Sequence, residues 1–176
     1  DREDGAMEDL LNAACAAIQV RFNAEQQVFR DEITLFLLPE HNVEALAVLR
    51  NEFDFEMLLD ITAVDYLPQL EPRFHLLYRL YSISKNMRLL LRVPLNGNFP
   101  SVRTVEGVYR NANWYEREVY DLMGIRFEGH SDPRRIVMPE DWQGHPLRKD
   151  YPRGYEEVQF TFNYEDIQVR KNAPSR

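Results

Sequence analysis

The sequence contains little cysteine, no excess of basic residues and no long hydrophobic run. Its single cysteine, Cys15, excludes an internal disulfide and any metal or iron–sulfur site that needs several cysteines. The net charge of -8 argues against a nucleic-acid-binding protein, which is normally basic. The most apolar runs, at residues 35–38 and 89–91, are far shorter than the roughly 18 residues that span a bilayer. We therefore expect no nucleic-acid partner and no membrane-spanning segment.

Sequence motifs for common kinds of catalysis are also missing. The chain contains no glycine-rich phosphate loop, no nucleotide fingerprint and no Ser/His/Asp arrangement. It begins with Asp-Arg-Glu-Asp-Gly, which is not a signal-peptide pattern, so we expect any membrane association to come through a partner. With 176 residues, of which 44% are hydrophobic and 28% charged, the chain is long enough for one globular domain and an extension.

The first part of the chain has the periodicity of a small α+β body. Apolar residues at helical spacing between Met7 and Phe22 predict an amphipathic helix. Residues 27–30 and 32–38 are typical of strands, and the charged corner between them predicts a hairpin. Pro39 ends the extended run, and the residues after it return to helical spacing as far as residue 53.

Three strands with clear alternation follow this helix. Their predicted apolar faces are Met57, Leu59, Ile61 and Ala63, then Phe74, Leu76, Tyr78 and Leu80, then Met87, Leu89, Leu91 and Val93. The links between them are too short for a parallel crossover, so we expect antiparallel neighbours. One face of the sheet would lie under helices, and the other would be polar or covered by a partner. The predicted fold is α+β, with a mainly antiparallel or mixed sheet of about four to five strands packed by helices.

The predicted organisation divides after residue 125. Residues 1–125 form the α+β body, and residues 126–176 form an extended partner-binding loop and tail. Within the body, Ser101 is the candidate N-cap of a further helix. The apolar residues of that helix would be Val102, Val105, Val108 and Tyr109. Beyond Pro152 we expect an extended C-terminal strap that wraps a partner or frays, and ends disordered at residues 172–176.

Residues 114–152 hold most of the unusual sequence features. Asn113 followed by Glu116 resembles a capping box at the start of a short helix, and Gly124 fits the position that closes it. The predicted apolar face of this helix is Tyr115, Val119, Leu122 and Met123. The loop that follows is long, and loops of that length in compact domains are usually functional or disordered. Its aromatic and aliphatic residues favour a contact surface over a disordered loop.

The charged residues of this short helix allow a structural and a catalytic interpretation. Arg117 and Asp121 are four residues apart on the face opposite the apolar stripe, where an exposed pair contributes a few tenths of a kcal/mol. Glu118 lies at the edge of the apolar stripe, where a carboxylate needs a partner. A catalytic pair of Glu116 and Glu118 is disfavoured, because residues i and i+2 point about 200° apart on a helix.

The two histidines of the segment invite a metal interpretation. They are far apart in sequence, form no helical pair and have no cysteine nearby. Each lies in a turn with proline, His130 before Pro133 and His145 before Pro146, so we interpret both as structural turn residues. Basic and acidic residues interleave throughout the segment, which argues against a phosphate track. That pattern favours specific ion pairs to neighbouring segments or to another polypeptide.

Four motifs lie close together in this stretch. They are Tyr-Glu-Arg-Glu-Val-Tyr-Asp-Leu-Met-Gly-Ile at residues 115–125, Phe-Glu-Gly-His at 127–130, Pro-Arg-Arg-Ile at 133–136 and Gly-His-Pro-Leu-Arg-Lys-Asp-Tyr-Pro at 144–152. Together they resemble the signature of the 30-kDa subunit family of proton-pumping NADH:quinone oxidoreductase (respiratory complex I), also called its C subunit. The preceding α+β body also fits this family. Met123 stands where phenylalanine is common, a change we expect to be harmless.

This resemblance implies a non-catalytic subunit without a cofactor of its own. Such a subunit would lie in the hydrophilic arm, bound to the quinone-site D subunit and near the iron–sulfur B and I subunits. FMN, iron–sulfur clusters and quinone would belong to partner subunits. The location would be peripheral to the energy-converting membrane, on the cytoplasmic side in bacteria or the matrix side in mitochondria. The implied structural and interface residues are Glu116, Arg117, Glu118, Asp121, Gly124, His130, Pro133, Arg134, His145, Pro146, Arg148, Lys149, Asp150 and Pro152.

Two alternatives stay open beside this interpretation. The chain would serve as an equivalent scaffold in a photosynthetic NDH-type complex or a membrane-bound energy-converting hydrogenase. In a different class, it would be a free-standing acidic enzyme that uses Glu116, Glu118 and His130. We also expect Arg148→Ala or Asp150→Ala to leave the isolated body folded but to weaken assembly, because these charges follow the core rather than build it.

Overall fold

A computed structural model describes residues 2–30 and 32–152, with side chains from Met7 onward. The helices are α1 (Arg2–Phe22), α2 (Asn42–Glu52) and α3 (Ala112–Met123), and a short 3-10 turn (Pro39–His41) precedes α2. The strands are β1 (Glu25–Phe29), β2 (Glu32–Phe36), β3 (Met57–Asp65), β4 (Phe74–Ser82), β5 (Met87–Leu95), β6 (Ser101–Arg103) and β7 (Arg126–Glu128). The two predicted N-terminal helices, the hairpin and the three alternating strands are confirmed.

The main sheet has five strands in the order β1-β2-β5-β4-β3. Three of its neighbouring pairs, β1 with β2, β3 with β4 and β4 with β5, are antiparallel. The fourth pair, β2 with β5, is parallel, since α2 and two strands lie between them in the chain and return it in the same direction. The predicted α+β fold with a mixed sheet is therefore confirmed.

One face of the sheet forms the core with the three helices. Phe74, Leu76, Tyr78 and Leu80 of β4 are fully buried at alternate positions. They share one hydrophobic cluster with residues of all three helices, including Ile18, Leu46 and Val119. The period-2 pattern of β4 and β5 thus predicts the buried face of these strands correctly.

The predicted apolar face of β3 is wrong at the start of the strand. Met57 is 43% exposed, whereas Leu58 is buried and pairs with Leu80. A register shift between Leu58 and Asp60 explains the difference, because an extra residue in one strand turns the following side chains to the other face. From Ile61 onward the buried residues agree with the prediction.

The predicted helix from Ser101 is also wrong. Residues Ser101–Arg103 form β6, which pairs in parallel with β7, and a turn follows in which Val105 accepts backbone hydrogen bonds. Val105 and Tyr109 are nevertheless buried, as their apolar character predicts. The strand was missed because its partner, Arg126–Glu128, lies far downstream and leaves no local signal in the sequence.

Within the part of the chain that the structure describes, no helix combines the length and apolarity needed to cross a bilayer. The predicted strap beyond Pro152 and its disordered end at residues 172–176 lie outside the described residues. The division between residues 1–125 and 126–176 stays a prediction. The first residues after this boundary, Arg126–Glu128, belong to β7 and are hydrogen-bonded to the body through β6.

Candidate docking site around helix α3

Helix α3 is closed by a glycine, as predicted, but its start differs from the prediction. Gly124 has φ +76°, a left-handed conformation that favours glycine, and its N–H donates to the carbonyl of Tyr120. The helix begins at Ala112 without a side-chain cap. Asn113 forms no capping box; its amide donates instead to the Glu106 carboxylate at 2.8 Å. The predicted capping box is wrong because a tertiary acceptor takes the asparagine side chain.

Glu116 lies fully buried inside the site. Its carboxylate accepts the N–H of Val105 at 2.7 Å and the hydroxyl of Thr104, so it fixes the turn after β6. Burial raises its pKa to about 7, since the hydrogen bonds only partly offset the loss of water around the charge. Together with Arg117 and His130 it borders a cleft of about 300 Å³.

Arg117 and Asp121 are buried and do not pair with each other, so the predicted exposed pair is wrong. Arg117 donates to the carbonyls of Arg134 and Arg135 at 3.0 and 3.1 Å, and lies 3.5 Å from the carboxylate of Asp132. The segment after β7, residues 129–152, folds back over this face of α3 and covers it. We call it the returning segment. Helical periodicity alone carries no information about that covering segment.

Asp121 is the main anchor for the returning segment. One carboxylate oxygen accepts the N–H groups of Ile136, Val137 and Met138 at 2.8–3.0 Å, and the other accepts from Arg135 at 2.5 Å. Desolvation alone would raise the pKa of Asp121, but these hydrogen bonds outweigh it and lower the pKa below its ordinary value. A single side-chain carboxylate thus accepts the backbone N–H groups of three consecutive loop residues.

Both histidines lie in turns and contact backbone atoms. His130 Nε2 lies 3.1 Å from the carbonyl of Asn113, and its Nδ1 accepts the N–H of Asp132. His145 Nδ1 lies 2.9 Å from the carbonyl of Asp121, with its ring directly over Gly124. In the described ranges, no group of three or more His, Cys, Asp or Glu side chains has a metal-binding arrangement.

A second anchor fixes the end of the described segment to the sheet. Arg73 is 1% exposed and forms a two-pronged ion pair with Asp65, at 2.9 and 3.0 Å, while Asp150 lies 3.0 Å from the same guanidinium. The backbone N–H of Lys149 also donates to the Asp65 carboxylate at 2.9 Å. Burial alone would raise the pKa of Asp65, but the hydrogen bonds from these groups outweigh it and lower the pKa to about 2.

Arg148 belongs to the same anchor. It binds Asp150 through two nitrogens at 3.0 Å, donates to the carbonyl of Asn98 and stacks over Phe74. The side chains at 148 and 150 therefore contact the body directly, Arg148 at Phe74 and Asp150 at Arg73. The expectation that Arg148→Ala or Asp150→Ala leaves the isolated body folded but weakens assembly stays a prediction. Sequence reasoning did not single out Arg73 or Asp65, because their partners lie across the fold.

The remaining predicted site residues lie on the surface or at its margin. Glu118 is exposed, contrary to its predicted place at the edge of the apolar stripe, because the core-facing side of α3 includes Glu116 instead. Arg134 pairs with Asp132 at 2.6 Å on the surface. Pro133 and Pro152 are exposed, and Pro146 is half-buried. The structure thus gathers Glu116, Arg117, Asp121, Gly124, His130 and His145 around α3, and Arg148, Lys149 and Asp150 around Arg73.

Several large apolar side chains around these anchors are exposed. Trp114 is 59% exposed at the start of α3, with the Arg117 guanidinium 5.2 Å from its ring. The side chains of Val137 and Leu147 are 57% and 56% exposed. Their backbone N–H groups are held by the Asp121 carboxylate and the Leu122 carbonyl, respectively. Anchored backbone with outward-facing apolar side chains is typical of a surface that binds another protein.

Residues 36–157 match the family described as the 30 kDa subunit of respiratory-chain NADH dehydrogenase. This range covers more than half of the chain and contains both anchors. The chain belongs to this family. The family match includes the sheet from the end of β2 onward, α3 and the returning segment, so the anchored segment is part of the family's common region.

Individual relatives and solved structures agree with this assignment to the 30 kDa subunit family. The C subunit of NADH-quinone oxidoreductase from Roseiflexus sp. (strain RS-1) is 44% identical over 145 residues, which cover 81% of this chain and 83% of the relative. The same subunit from Geotalea uraniireducens (strain Rf4) is 48% identical over 128 residues, covering 73% of this chain and 77% of the relative.

Two solved structures show the same fold. A trypsin-resistant fragment of Nqo5 (1-134) superposes with a TM-score of 0.60 at 32% identity, covering 71% of this chain and 97% of the fragment. A chain of an archaeal membrane-bound sulfane sulfur reductase superposes with a TM-score of 0.71 at 24% identity, covering 82% of this chain and 85% of that chain. The second likeness concerns the fold alone.

Proposed function

We propose that this chain is a non-catalytic subunit of the hydrophilic arm of a proton-pumping NADH:quinone oxidoreductase, where it scaffolds assembly of the quinone-reducing module. The observation that carries the proposal is that the residues of the family motif bind other parts of the same chain. Glu116, Arg117 and Asp121 bind backbone groups of neighbouring segments, and this leaves a rigid surface with exposed apolar side chains. Residues used in this way build a surface for another protein rather than a reaction centre.

The partners and cofactors that we propose are those expected of a member of the 30 kDa subunit family. We propose that the surface around α3 binds the quinone-site D subunit and lies near the iron–sulfur B and I subunits. FMN, iron–sulfur clusters and quinone belong to partner subunits in this proposal, and this chain holds no cofactor. Attachment to the energy-converting membrane is peripheral, through the complex, on the cytoplasmic side in bacteria or the matrix side in mitochondria.

The geometry disfavours the free-standing enzyme. Glu116 is fully buried against the turn after β6, whereas Glu118 is exposed on the surface of α3. His130 lies 3.8 Å from the Glu116 carboxylate, but both of its ring nitrogens already contact backbone groups. These three side chains therefore do not converge on one reacting atom.

Native co-purification followed by mass spectrometry tests the proposal. The chain, tagged at its own locus and extracted from membranes in mild detergent, is expected to bring the quinone-site subunit and both iron–sulfur partner subunits together with the nucleotide-binding subunits of the NADH module. A nickel–iron large subunit in place of the NADH module would instead identify a hydrogenase-type complex. A chain that purifies alone from membranes and cytosol would contradict the scaffold role in either complex.

A further inference from the structure

The face of the five-stranded sheet that points away from the helices carries a connected set of aromatic, aliphatic and basic side chains. The strand register places Leu77 beside Arg92, and Arg92 beside Phe36, so these three side chains form one row across β4, β5 and β2. A neighbouring row pairs Arg79 with Leu90. We call this surface the open face and define it by Phe36, His75, Leu77, Tyr81, Leu90 and Arg92.

The apolar members of the open face are half-buried yet lie outside the core. Phe36, Leu77 and Leu90 alternate with fully buried neighbours such as Leu76 and Leu91 on the other side of the sheet. They are absent from the hydrophobic cluster that the helices and the sheet share. Antiparallel sheets often leave one face in water, but that face is then usually polar rather than lined with phenylalanine and leucine.

Arg92 lies at the centre of the open face and is held rigidly. Its guanidinium lies 5.3 Å from the Phe36 ring and 5.5 Å from the Tyr66 ring. Nε donates to His75 Nδ1 at 2.7 Å, and Nη2 donates to the hydroxyl of Tyr66. Stacking and hydrogen bonding of this kind orient the guanidinium fork before a partner arrives, which lowers the entropy cost of binding.

The charge of Arg92 has no counter-charge within the described residues. Both of its hydrogen-bond acceptors are neutral groups, and Nη1 has no acceptor there. Burial, together with the nearby Arg92 charge, lowers the pKa of His75 to about 4, so His75 is neutral near pH 7. A fixed guanidinium with a free nitrogen is suited to bind a carboxylate.

The surrounding charges make the middle of the open face cationic in an otherwise acidic chain. Arg88 lies over the Tyr81 ring at 5.9 Å and, within the described ranges, has no ion-pair partner. Arg79 pairs with the carboxylate of Asp60 at 3.5 Å. The open face thus carries a local excess of arginine, although the whole chain has a net charge of -8.

We propose that the open face is a docking surface for another protein subunit, which presents a carboxylate to Arg92 within an apolar segment. The proposal rests on the proposed function, since it takes the partner to be a subunit of the same complex. Arginine and tyrosine surrounded by apolar contacts are the side chains that dominate binding energy in protein interfaces. A carboxylate of the partner would form an ion pair with the guanidinium of Arg92, while leucine or valine side chains of the partner would cover Leu77 and Leu90.

The edge of the same face disfavours a polyanion such as a nucleic acid or an anionic membrane. Glu25 pairs in register with Phe36, and Glu32 pairs with Phe29, so two carboxylates border the basic centre on the β1–β2 side. Asp60 borders it on the β3 side. A repeating array of phosphates would meet these carboxylates, whereas one partner carboxylate reaches only Arg92.

Site-specific photo-crosslinking in the intact complex tests this proposal. A photoreactive phenylalanine analogue replaces Leu90 in the full chain, and the complex is irradiated after isolation from membranes. The control places the same analogue at Val20, which is 86% exposed on α1 and remote from the sheet's open face. The expected product from position 90 is a crosslink to another polypeptide, within a few residues of an Asp or Glu in an apolar segment.

Variants of Arg92 then test the role of its charge. Arg92→Leu is expected to lower the crosslink yield from position 90 by about tenfold or more, because it removes the partner of a buried carboxylate. Arg92→Lys keeps the charge but lacks the two-pronged guanidinium, so its crosslink yield is expected to lie between those of the wild type and Arg92→Leu. Arg110→Leu, which removes an exposed arginine elsewhere on the surface, is expected to leave the yield unchanged. If Arg92→Leu does not fold, the comparison of Arg92→Lys with Arg110→Lys decides.

Several results would overturn the proposal. These are a crosslink from position 90 to a second copy of this chain, a crosslink to lipid, no crosslink above the Val20 control, or equal yields in the Arg92 and Arg110 variants. Loss of the proposal is distinguishable from loss of the proposed function. A complex that co-purifies with all its subunits but gives no crosslink from position 90 would refute the open face as a docking surface and leave the scaffold role intact.

Discussion

The carboxylate of Asp121 and the guanidinium of Arg135 form an ion pair of 2.5 Å, in which the aspartate side chain has no exposure to solvent. Arg135 extends the contact, since it also donates to the carbonyls of Trp142 and Gly144. The pair therefore connects α3 with two separate parts of the returning segment. The returning segment is thus fixed to α3 through the buried side chain of Asp121.

Replacing Asp121 with asparagine is expected to loosen the returning segment. The amide keeps one acceptor oxygen for the N–H groups of Ile136, Val137 and Met138 but cannot neutralise Arg135. Breaking a buried ion pair on one side costs about 3–5 kcal/mol. The free energy of unfolding, measured with urea, should fall by about that amount, and hydrogen exchange should accelerate first at residues 136–138.

Asp141 provides a matched control for this experiment, since it is exposed on the same segment. Asp141→Asn removes the same charge from the chain and should change the free energy of unfolding by less than about 0.5 kcal/mol. Equal effects of the two substitutions would show that the charge of the chain, and not the buried contact, determines stability.

The second anchor predicts a graded response to loss of charge. Asp65→Asn removes a buried partner of Arg73 and should lower the unfolding free energy by about 3 kcal/mol or more. Asp150→Asn removes a half-exposed partner of the same guanidinium, so its effect should be about 1 kcal/mol or less. Thermal unfolding of the two variants beside the wild type measures the difference. Asp150→Asn as damaging as Asp65→Asn would contradict the graded arrangement.

Glu116 predicts a pH dependence of stability. Its pKa is about 7 in the folded protein against an ordinary value of 4.5, so the folded state binds the proton more tightly than the unfolded state. The stability that protonation of Glu116 gives to the folded state is therefore fully present below about pH 4.5, and it is lost as the pH rises towards 7 and above. Glu116→Gln keeps an acceptor for the Val105 N–H without this loss, and at pH 8 it should be more stable than the wild type by about 2 kcal/mol.

The comparison of wild type and Glu116→Gln between pH 5 and 8 isolates this effect. His75, whose pKa is lowered, gives an opposite trend below about pH 6.5, but it does so in both proteins. Asp65 and the other paired aspartates titrate below this range. Urea unfolding curves that differ by the same free energy at pH 5 and pH 8 would show that Glu116 is ionised throughout.

Alanine substitutions at three glycines distinguish the cost of backbone strain from the cost of steric contact. Gly124→Ala has both costs, because φ is +76° and a Cβ would lie 2.6 Å from the His145 ring. Gly97 has φ +78° with open space around it, and Gly107 has neither constraint. We expect losses of unfolding free energy of about 2–4 kcal/mol for Gly124→Ala, about 1 for Gly97→Ala and near zero for Gly107→Ala. Equal losses at positions 97 and 124 would show that His145 moves aside at little cost.

Much of the fold follows from local patterns in the sequence. The alternation of Phe74, Leu76, Tyr78 and Leu80 predicts both the strand and its buried face, since burial on one side of a sheet has a period of two. Gly124 likewise marks the end of α3 because few other residues adopt its backbone conformation. These features depend on residues within a few positions of each other.

The errors arise where distant segments meet. Ser101 begins a strand because Arg126–Glu128 pairs with it, and Arg117 and Asp121 are buried because residues 134–138 fold over them. The extra residue near Leu58 changes the face of β3 without any turn residue to mark it. Arg73 could not be recognised as a site residue from the sequence, because its contact with Asp150 exists only in the folded chain.

The most direct test of the scaffold role is a deletion of this chain followed by measurement of membrane NADH:quinone oxidoreductase activity together with the amount of assembled complex on native gels. We predict that both are lost together, that the wild-type chain restores both, and that Asp121→Asn restores them only in part, with unchanged activity per assembled complex. Membranes that lack the chain but keep the assembled complex and its full activity would contradict the account.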